Sequence, residues 1–441
     1  MPDTTFSNED AAPSEIMTES SVREQQLSLK YNPLRKPSAF RIVVLNRAKS
    51  RNDPIECQLS HHIRGDHPYE ALSYEWCIPS DSDPLISLNG HQIQIRANLF
   101  TALVEIRLQD RERHIWIDAL SINQSHIPER NHQVRMMRDI YACASNVIVW
   151  LGPAKENSDA AMDIVADRTN RLQTSNVGLG LGSTALVQAN YTALIALCSR
   201  PYWRRAWVQQ EIHLARTFTL HCGSQQISDS TFQNSLYRVM DHSISSYRLL
   251  MDTPAYSVIA KKAADNDDAL SRSLGTWLAV SIYRDLQTSE PRDIIYAMLG
   301  LTSDCQNGEL LPDYNKPLVD VYIETIAFCN AQEGVIDLWF MSQLAEKLGL
   351  PFGKELQDVL VQSCGAKVRR MIRGENLLPT SQMEPPPCVR VVRPRVVDGC
   401  IQRMHRGKGG KLTPEQRAAA REIRSRQQNH GKCKGAEVRQ I

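Results

Sequence analysis

Eleven cysteines are spread along the 441 residues, yet none forms a C-x-x-C pair. An odd number with no repeated short spacing argues against a zinc site and a disulfide framework, and points to a reducing compartment. No apolar run approaches the ~18 residues that a membrane span requires. The start, MPDTTFSNEDAAPSEIMTESS, is polar and acidic, without the apolar centre of a signal peptide or the basic character of a transit peptide. The expectation is a cytoplasmic protein with no membrane span. His61-His62 and His126/His132 show no metal-ligand pattern, so no metal is expected. The GLGLG run (Gly178 to Gly182) follows no strand and lacks both phosphate-loop spacings.

The net charge of +2 conceals an uneven distribution. From Val389 to Ile441 there are 14 basic and 4 acidic residues, leaving 37 basic and 45 acidic in the rest. That basic tail has no aromatic residue to stack on bases, so a solvated extension is favoured over a nucleic-acid surface. Hydrophobic residues at 42% and charged residues at 23% fit a globular body. The reading divides the chain into a disordered segment over 1–37, an α/β core over 38–225, a helical extension over 226–340 and a poorly ordered basic tail over 341–441.

The α/β reading rests on a strand–helix–strand block from Trp116 to Gly152, WIDALSINQSHIPERNHQVRMMRDIYACASNVIVWLG. Strands separated by a helical stretch imply βαβ units and a parallel sheet. Phe40 to Leu45, Ile55 to Ile63 and Pro68 to Cys77 supply further strand signals. Leu85 to Ile95 reads as a hairpin turning at Asn89-Gly90. Asn98 is the expected N-cap of a helix whose apolar face carries Leu99, Leu103 and Ile106. Pro128 and Glu129 open the next helix, where Glu129, Arg130 and Arg138 read as ion pairs on a solvated face. Ligands of open α/β sheets gather at the carboxyl ends of strands, and Asp118 follows such an end. On its residues alone, Asp118 reads more plainly as a turn carboxylate, together with Asn123 and Gln124. Five of the seven tryptophans lie between Trp76 and Trp207. Glu211 sits among Trp207, Val208, Ile212 and Leu214; it is either a desolvated functional carboxylate or, as the residues alone favour, a helix carboxylate facing water or paired with Arg204 or Arg205.

In order, YEALSYEW (Tyr69 to Trp76), WIDALSINQ (Trp116 to Gln124), Glu129 to Gly152, RPYWRRAWVQQEIHLA (Arg200 to Ala215), PRDIIYAMLGL (Pro291 to Leu301) and LPDYNKPLVDVY (Leu311 to Tyr322) resemble the motif series of the fungal heterokaryon-incompatibility (HET) domain. The resemblance covers roughly Phe40 to Phe328. It departs at Cys77, where the family has glycine, and at Ser121, where the family carries cysteine. It implies non-self recognition and regulated cell death, with a homo-oligomer or an allelic partner protein as the expected associate. HET domains are distantly similar to Toll/interleukin-receptor (TIR) domains, which implies a flavodoxin-like parallel sheet flanked by helices. Trp207 to Ala215 resembles the TIR helix that carries the catalytic glutamate of NAD hydrolases. By that likeness Glu211 is the catalytic candidate, and Tyr74, Trp76, Asp118 and Trp207 form the NAD-binding set, with NAD as substrate and no resident cofactor. The competing class is a non-catalytic signalling module that acts by homotypic assembly. A third reading is a degenerate gene product, suggested by the atypical tail.

Overall fold

The structure is a computed structural model that describes residues 31–166, 191–238, 244–264, 273–332 and 336–374. The first thirty residues, the Gly178–Gly182 run and residues 375–441 of the expected tail lie outside these. The strands are β1 (Ala39–Leu45), β2 (Glu56–Ile63), β3 (Glu70–Tyr74), β4 (Leu85–Leu88), β5 (His91–Gln94), β6 (Arg113–Trp116), β7 (Asn146–Trp150), β8 (Phe218–Cys222) and β9 (Gln225–Ser228). They form one sheet in the order β5-β4-β2-β1-β6-β3-β7-β8-β9. The four strands β6, β3, β7 and β8 are mutually parallel. Taken in chain order they lie 2-1-3-4, the flavodoxin-like sequence of a doubly wound sheet. The α/β class is therefore as expected, but the sheet is mixed rather than purely parallel. β1 runs antiparallel to both β2 and β6, and β9 runs antiparallel to β8. The short β1–β2 and β8–β9 links suit antiparallel pairing, because a parallel neighbour would need a long crossover. The Asn89-Gly90 turn forms as expected, with both residues at positive φ.

Side chains alternate across the central strands, so each strand feeds two cores. Ala71, Val147, Val149 and Trp116 enter the larger core on one face. Leu72, Ile148, Trp150 and Ile115 enter the smaller core on the other. Each fully buried Val, Leu or Ile contributes about 1.5–3 kcal/mol by leaving water, which makes the parallel centre the firmest part of the sheet. Helix α1 (Ala97–Ile106) covers the smaller core through Leu99, Ala102, Leu103 and Ile106. After the short turn α2 (Asp118–Ser121), helix α3 (Ile127–Cys143) lays Val134, Met137, Ile140 and Tyr141 on the larger one. Helices α4 (Ser158–Val165), α5 (residues 191–198) and α6 (Ala206–Leu214) follow before β8.

Beyond β9 the chain is helical: α7 (Asp229–Arg238), α8 (Ile244–Met251), α9 (Pro254–Ala264), α10 (Leu274–Tyr283), α11 (Asp293–Leu299) and α12 (Leu318–Ala331). The thinning apolar pattern after Phe340 does not end the fold. Helices α13 (Leu338–Lys347), α14 (Lys354–Ser363) and α15 (Gly365–Ile372) bury Met341, Leu344, Leu360 and Val368 in the larger core. Three or four apolar residues per short helix suffice where tertiary neighbours supply the rest of the core. Among the described residues no helix is long and apolar enough to cross a membrane.

Two local expectations are overturned. Asn98 does not cap α1: the N-cap is Arg96, and Asp83 Oδ1 accepts the first free amide, Ala97 N, at 3.2 Å. Asn98 instead ties two strand ends together, donating to Glu75 O at 2.8 Å and accepting from Trp150 Nε1 at 2.9 Å. Glu129, Arg130 and Arg138 do not pair along a solvated helix face. Glu129 takes both ends of the buried Arg41 guanidinium, at 2.6 and 3.1 Å. Arg130 lies over the Tyr314 ring, 3.6 Å from its centroid, and Arg138 bonds Gln306.

Arg41 also donates to Ser121 O at 3.0 Å and Asn32 O at 2.8 Å, while Asn123 N donates to Glu129 Oε1 at 2.9 Å. The pair thus fixes the loop that follows β6. Replacing Glu129 with Ala strands a buried guanidinium, and urea unfolding at neutral pH is expected to show a loss of about 3–5 kcal/mol. Although burial opposes its charge, bonds from Arg41 and Asn123 hold the Glu129 carboxyl below its ordinary range. Its contribution is therefore complete above the unfolded-state value and fades as pH falls through the folded one. The gap between native protein and Glu129→Ala is expected to shrink on acidification; a pH-independent gap contradicts the assignment.

Candidate functional site

The strand order reverses between β3 and β7, and the carboxyl ends of β3 and β6 lie beside this point. Alternation along β3 puts Ser73 on the face opposite Leu72 and Tyr74, toward α6. Glu211, 1% exposed, projects from α6 onto that strand end. Ser73 Oγ donates a short hydrogen bond to Glu211 Oε2, and the Tyr202 hydroxyl lies 2.5 Å from Ser73 Oγ. Arg205, the residue that starts α6, places Nη1 3.3 Å from Glu211 Oε2. Asp118, half-buried, sits at the β6 end, where the Ala119 amide donates to Oδ1 at 2.7 Å and Trp76 Nε1 donates to Oδ2 at 3.1 Å. The Asp118 carboxylate lies near enough to the Tyr74 hydroxyl for its charge to oppose ionisation of that hydroxyl.

These groups form one electrostatic unit. Burial raises the Glu211 carboxyl above its ordinary value, against the lowering influence of Arg205 and the Ser73 bond. Burial likewise pushes Asp118 up to about 6; Arg205 opposes the rise and Glu211 adds to it. For Arg205 burial works against the charge, but Glu211 and Asp118 outweigh it and hold the guanidinium protonated. Tyr74, Tyr141 and Tyr202 are raised chiefly by burial and remain neutral donors. Arg205 pairs with Glu211 and its charge also acts on Asp118, so the unit is net negative when both carboxyls are ionised. It is suited to a cationic ligand or a developing positive charge.

The predicted residues are distributed unevenly around this unit. Glu211, Asp118 and Tyr74 belong to it, although the Tyr74 ring is packed in the smaller core and offers only its hydroxyl. Trp76, 42% exposed, covers Asp118 from the solvent side. Trp207 turns its indole N–H away to Asp293 Oδ2 at 3.0 Å, in the seam with α11. The Trp/Arg run divides in the same way: Trp203 is buried and stacked on Phe232, and Arg205 enters the site. Among the described residues no group of three or more His, Cys, Asp or Glu is placed to hold a metal.

Sequence reasoning missed Ser73 and Tyr202, and left Arg205 as one of two arginines that could pair with Glu211. Strand alternation was a usable signal for Ser73, which lies with Ala71 on the larger-core face of β3. Tyr202 joins the group only through the tertiary fold. Ser121, at the position where the HET pattern carries cysteine, is fully buried and accepts from Ile117 N at 3.2 Å, which fixes the α2 turn.

With its folded value raised, Asp118 binds a proton in the native state at a pH where the unfolded chain has lost it. Its contribution to stability is therefore present at low pH and lost as pH rises through about 6. A carbon-13 titration of the Asp118 carboxyl is expected to show a midpoint near 6. Asp118→Asn is expected to remove the corresponding fall in stability between pH 4 and pH 7. An ordinary aspartate midpoint would contradict this electrostatic account.

Residues 69–211 match the family described as Heterokaryon incompatibility protein (HET). The chain is also similar to the protein called Heterokaryon incompatibility protein 6, OR allele, of Neurospora crassa: 25% identical over 350 residues, covering 65% of this chain and 51% of that protein. The chain thus spans about half the length of this curated relative. No solved structure matches the chain. The matched segment begins just before β3 and ends within α6, so it encloses both carboxylates of the site: over residues 69–211 the chain carries a HET domain.

Proposed function

We propose that this chain acts in fungal non-self recognition through its HET domain, and that the domain cleaves the nicotinamide–ribose bond of NAD at the Asp118–Arg205–Glu211 centre. The observation that carries the chemistry is the buried Ser73–Glu211–Arg205 cluster at the strand-order reversal of a parallel sheet, with the Asp118 carboxylate at the end of the neighbouring strand β6. As the bond between ribose C1′ and nicotinamide N1 breaks, its electron pair moves to the ring nitrogen, so the cationic ring leaves neutral and needs no acid. Positive charge grows on the ribose as in glycoside cleavage, and a net-negative centre stabilises it. Water then bonds to C1′ and gives up its proton to a carboxylate. Asp118, at the rim, faces the ribose hydroxyls once Trp76 swings off it, and the exposed Trp76 ring supplies a stacking surface for the nicotinamide. Glu211 acts from behind, held in register by Ser73 and Arg205. Loss of NAD is the route to regulated cell death in this reading.

One observation favours a second reading. Glu211 is sealed, and its bonds to Ser73 and Arg205 are internal, while Trp76 and Ile78 project outward beside the site. A module that assembles with further copies or with an allelic partner through that apolar loop needs the cluster only as a rigid floor.

Incubation of the full chain with NAD, at concentrations that permit self-association, distinguishes the two. Nicotinamide release is expected, falling at least ~100-fold in Glu211→Gln, in line with the loss of a single electrostatic stabiliser. Release that survives Glu211→Gln removes Glu211 from catalysis. An assembled protein that releases no nicotinamide establishes the non-catalytic reading.

A further inference from the structure

Helix α6 carries Glu211 and starts from Arg205, yet much of what seats it comes from beyond the matched segment. At its start, Gln287 exchanges two backbone bonds with the chain: Ala206 N donates to Gln287 O at 3.0 Å, and Gln287 N donates to Arg204 O at 2.7 Å. One turn on, Trp207 Nε1 donates to Asp293 Oδ2 at 3.0 Å, and the Tyr314 hydroxyl donates to Asp293 Oδ1 at 2.7 Å. In the middle, Gly300 lies under Gln210, and a Cβ there would come within 2.7 Å of the Gln210 side chain. At the far end, Lys262 Nζ donates to the carbonyls of Ile212, His213 and Ala215 at 2.8, 3.2 and 2.8 Å. Lysine at a helix C-terminus satisfies the orphan carbonyls and complements the dipole.

Asp293 is the unusual member of this set. It is buried, 8% exposed, and its two hydrogen bonds come from neutral donors, Trp207 and Tyr314. The nearby cation, Arg130, is spread over the Tyr314 ring. An apolar side chain would fill this seam without the desolvation cost of a carboxylate. What a carboxylate adds is geometry, since each oxygen fixes one donor and the two donors belong to different parts of the chain. Tyr314 is itself anchored to α3, its amide donating to Asn131 Oδ1 at 3.0 Å.

We propose that Asp293 is a positioning residue for the Glu211 centre: by accepting from Trp207 and Tyr314 together it sets the seat of α6, and with it the placement of Arg205 and Glu211 against Ser73 and Asp118. The proposal rests on reading that cluster as the working centre. It extends the working unit past Glu211, where the family match ends, to Tyr314 at least. The helical extension is then part of the site's construction. An error of an ångström in such a centre can cost ~100-fold in rate, so a lock remote from the reacting atoms carries catalytic consequence.

The test uses the full chain with Asp293→Asn, which keeps the shape but turns an amide N–H₂ toward one of the two donors, and with Tyr314→Phe, which removes a single hydroxyl. The readout specific to positioning is the carbon-13 titration of Asp118, which touches neither changed residue. Arg205 and Glu211 both act on that group from α6, so a displaced α6 moves the midpoint away from about 6. Both variants are expected to show the shift while retaining cooperative urea unfolding, and nicotinamide release is expected to drop about tenfold in turnover at an unchanged KM. An Asp118 midpoint that stays in place in folded Tyr314→Phe overturns the proposal, even if Asp293→Asn does not fold. If the native chain releases no nicotinamide, the NAD reading fails and the Asp118 titration still decides the positioning claim.

Discussion

Taking two carboxylates out of water at a sheet edge is the constraint around which this molecule is arranged. An uncompensated buried carboxylate costs several kcal/mol or takes up a proton. Here each carboxyl oxygen engaged is met by a fixed donor: Ser73 and Arg205 for Glu211, the Ala119 amide and Trp76 for Asp118. None of these donors is adjacent in sequence to the group it serves except Ala119. The cluster exists only while β3, β6 and α6 hold their mutual places.

That requirement explains the polar contacts that surround the site. Arg41 and Glu129 hold the loop after β6 from one side, with Tyr31 OH donating to Leu120 O at 3.2 Å. Asn98 joins the ends of β3 and β7 from the other face. Asp293, Gln287 and Lys262 hold α6. Each is a polar group committed to one geometry, in contrast to the two apolar cores, which tolerate repacking more readily. Tyr31 and Asn32, in the stretch expected to be disordered, join this framework because Arg41 draws them in through a ring contact and a backbone carbonyl.

Much of the α/β body was legible. The alternating and apolar runs at Phe40, Glu70, Arg113 and Asn146 became strands, and the Asn89-Gly90 turn and the α3 apolar face formed where their periodicity placed them. Apart from the β4–β5 hairpin, the antiparallel pairings of the sheet were not legible, because a strand's residues do not state the direction of its neighbour. Helices α14 and α15 were missed because each is short and polar overall, so its narrow apolar face, Leu356 and Leu360 in one and Val368 in the other, shows only once it packs on neighbours. Glu129 was misjudged for a related reason. Read along its helix it has local partners, and nothing local announces an arginine eighty-eight residues earlier at its side.

The sequence by itself determined the HET motif series and the α/β class, because these follow from local pattern and from residue types that recur in order; Glu211 and Asp118 were nominated by the resemblance, against the plainer reading of their own neighbours. Only the tertiary structure decided what surrounds those two carboxylates. It chose Arg205 over Arg204, brought Ser73 and Tyr202 to Glu211, and turned Trp207 away to Asp293. The physical reason is range. A strand or helix is specified by neighbours a few residues away, whereas the charge state of a buried group is set by whatever the fold brings within a few ångströms, from anywhere in the chain.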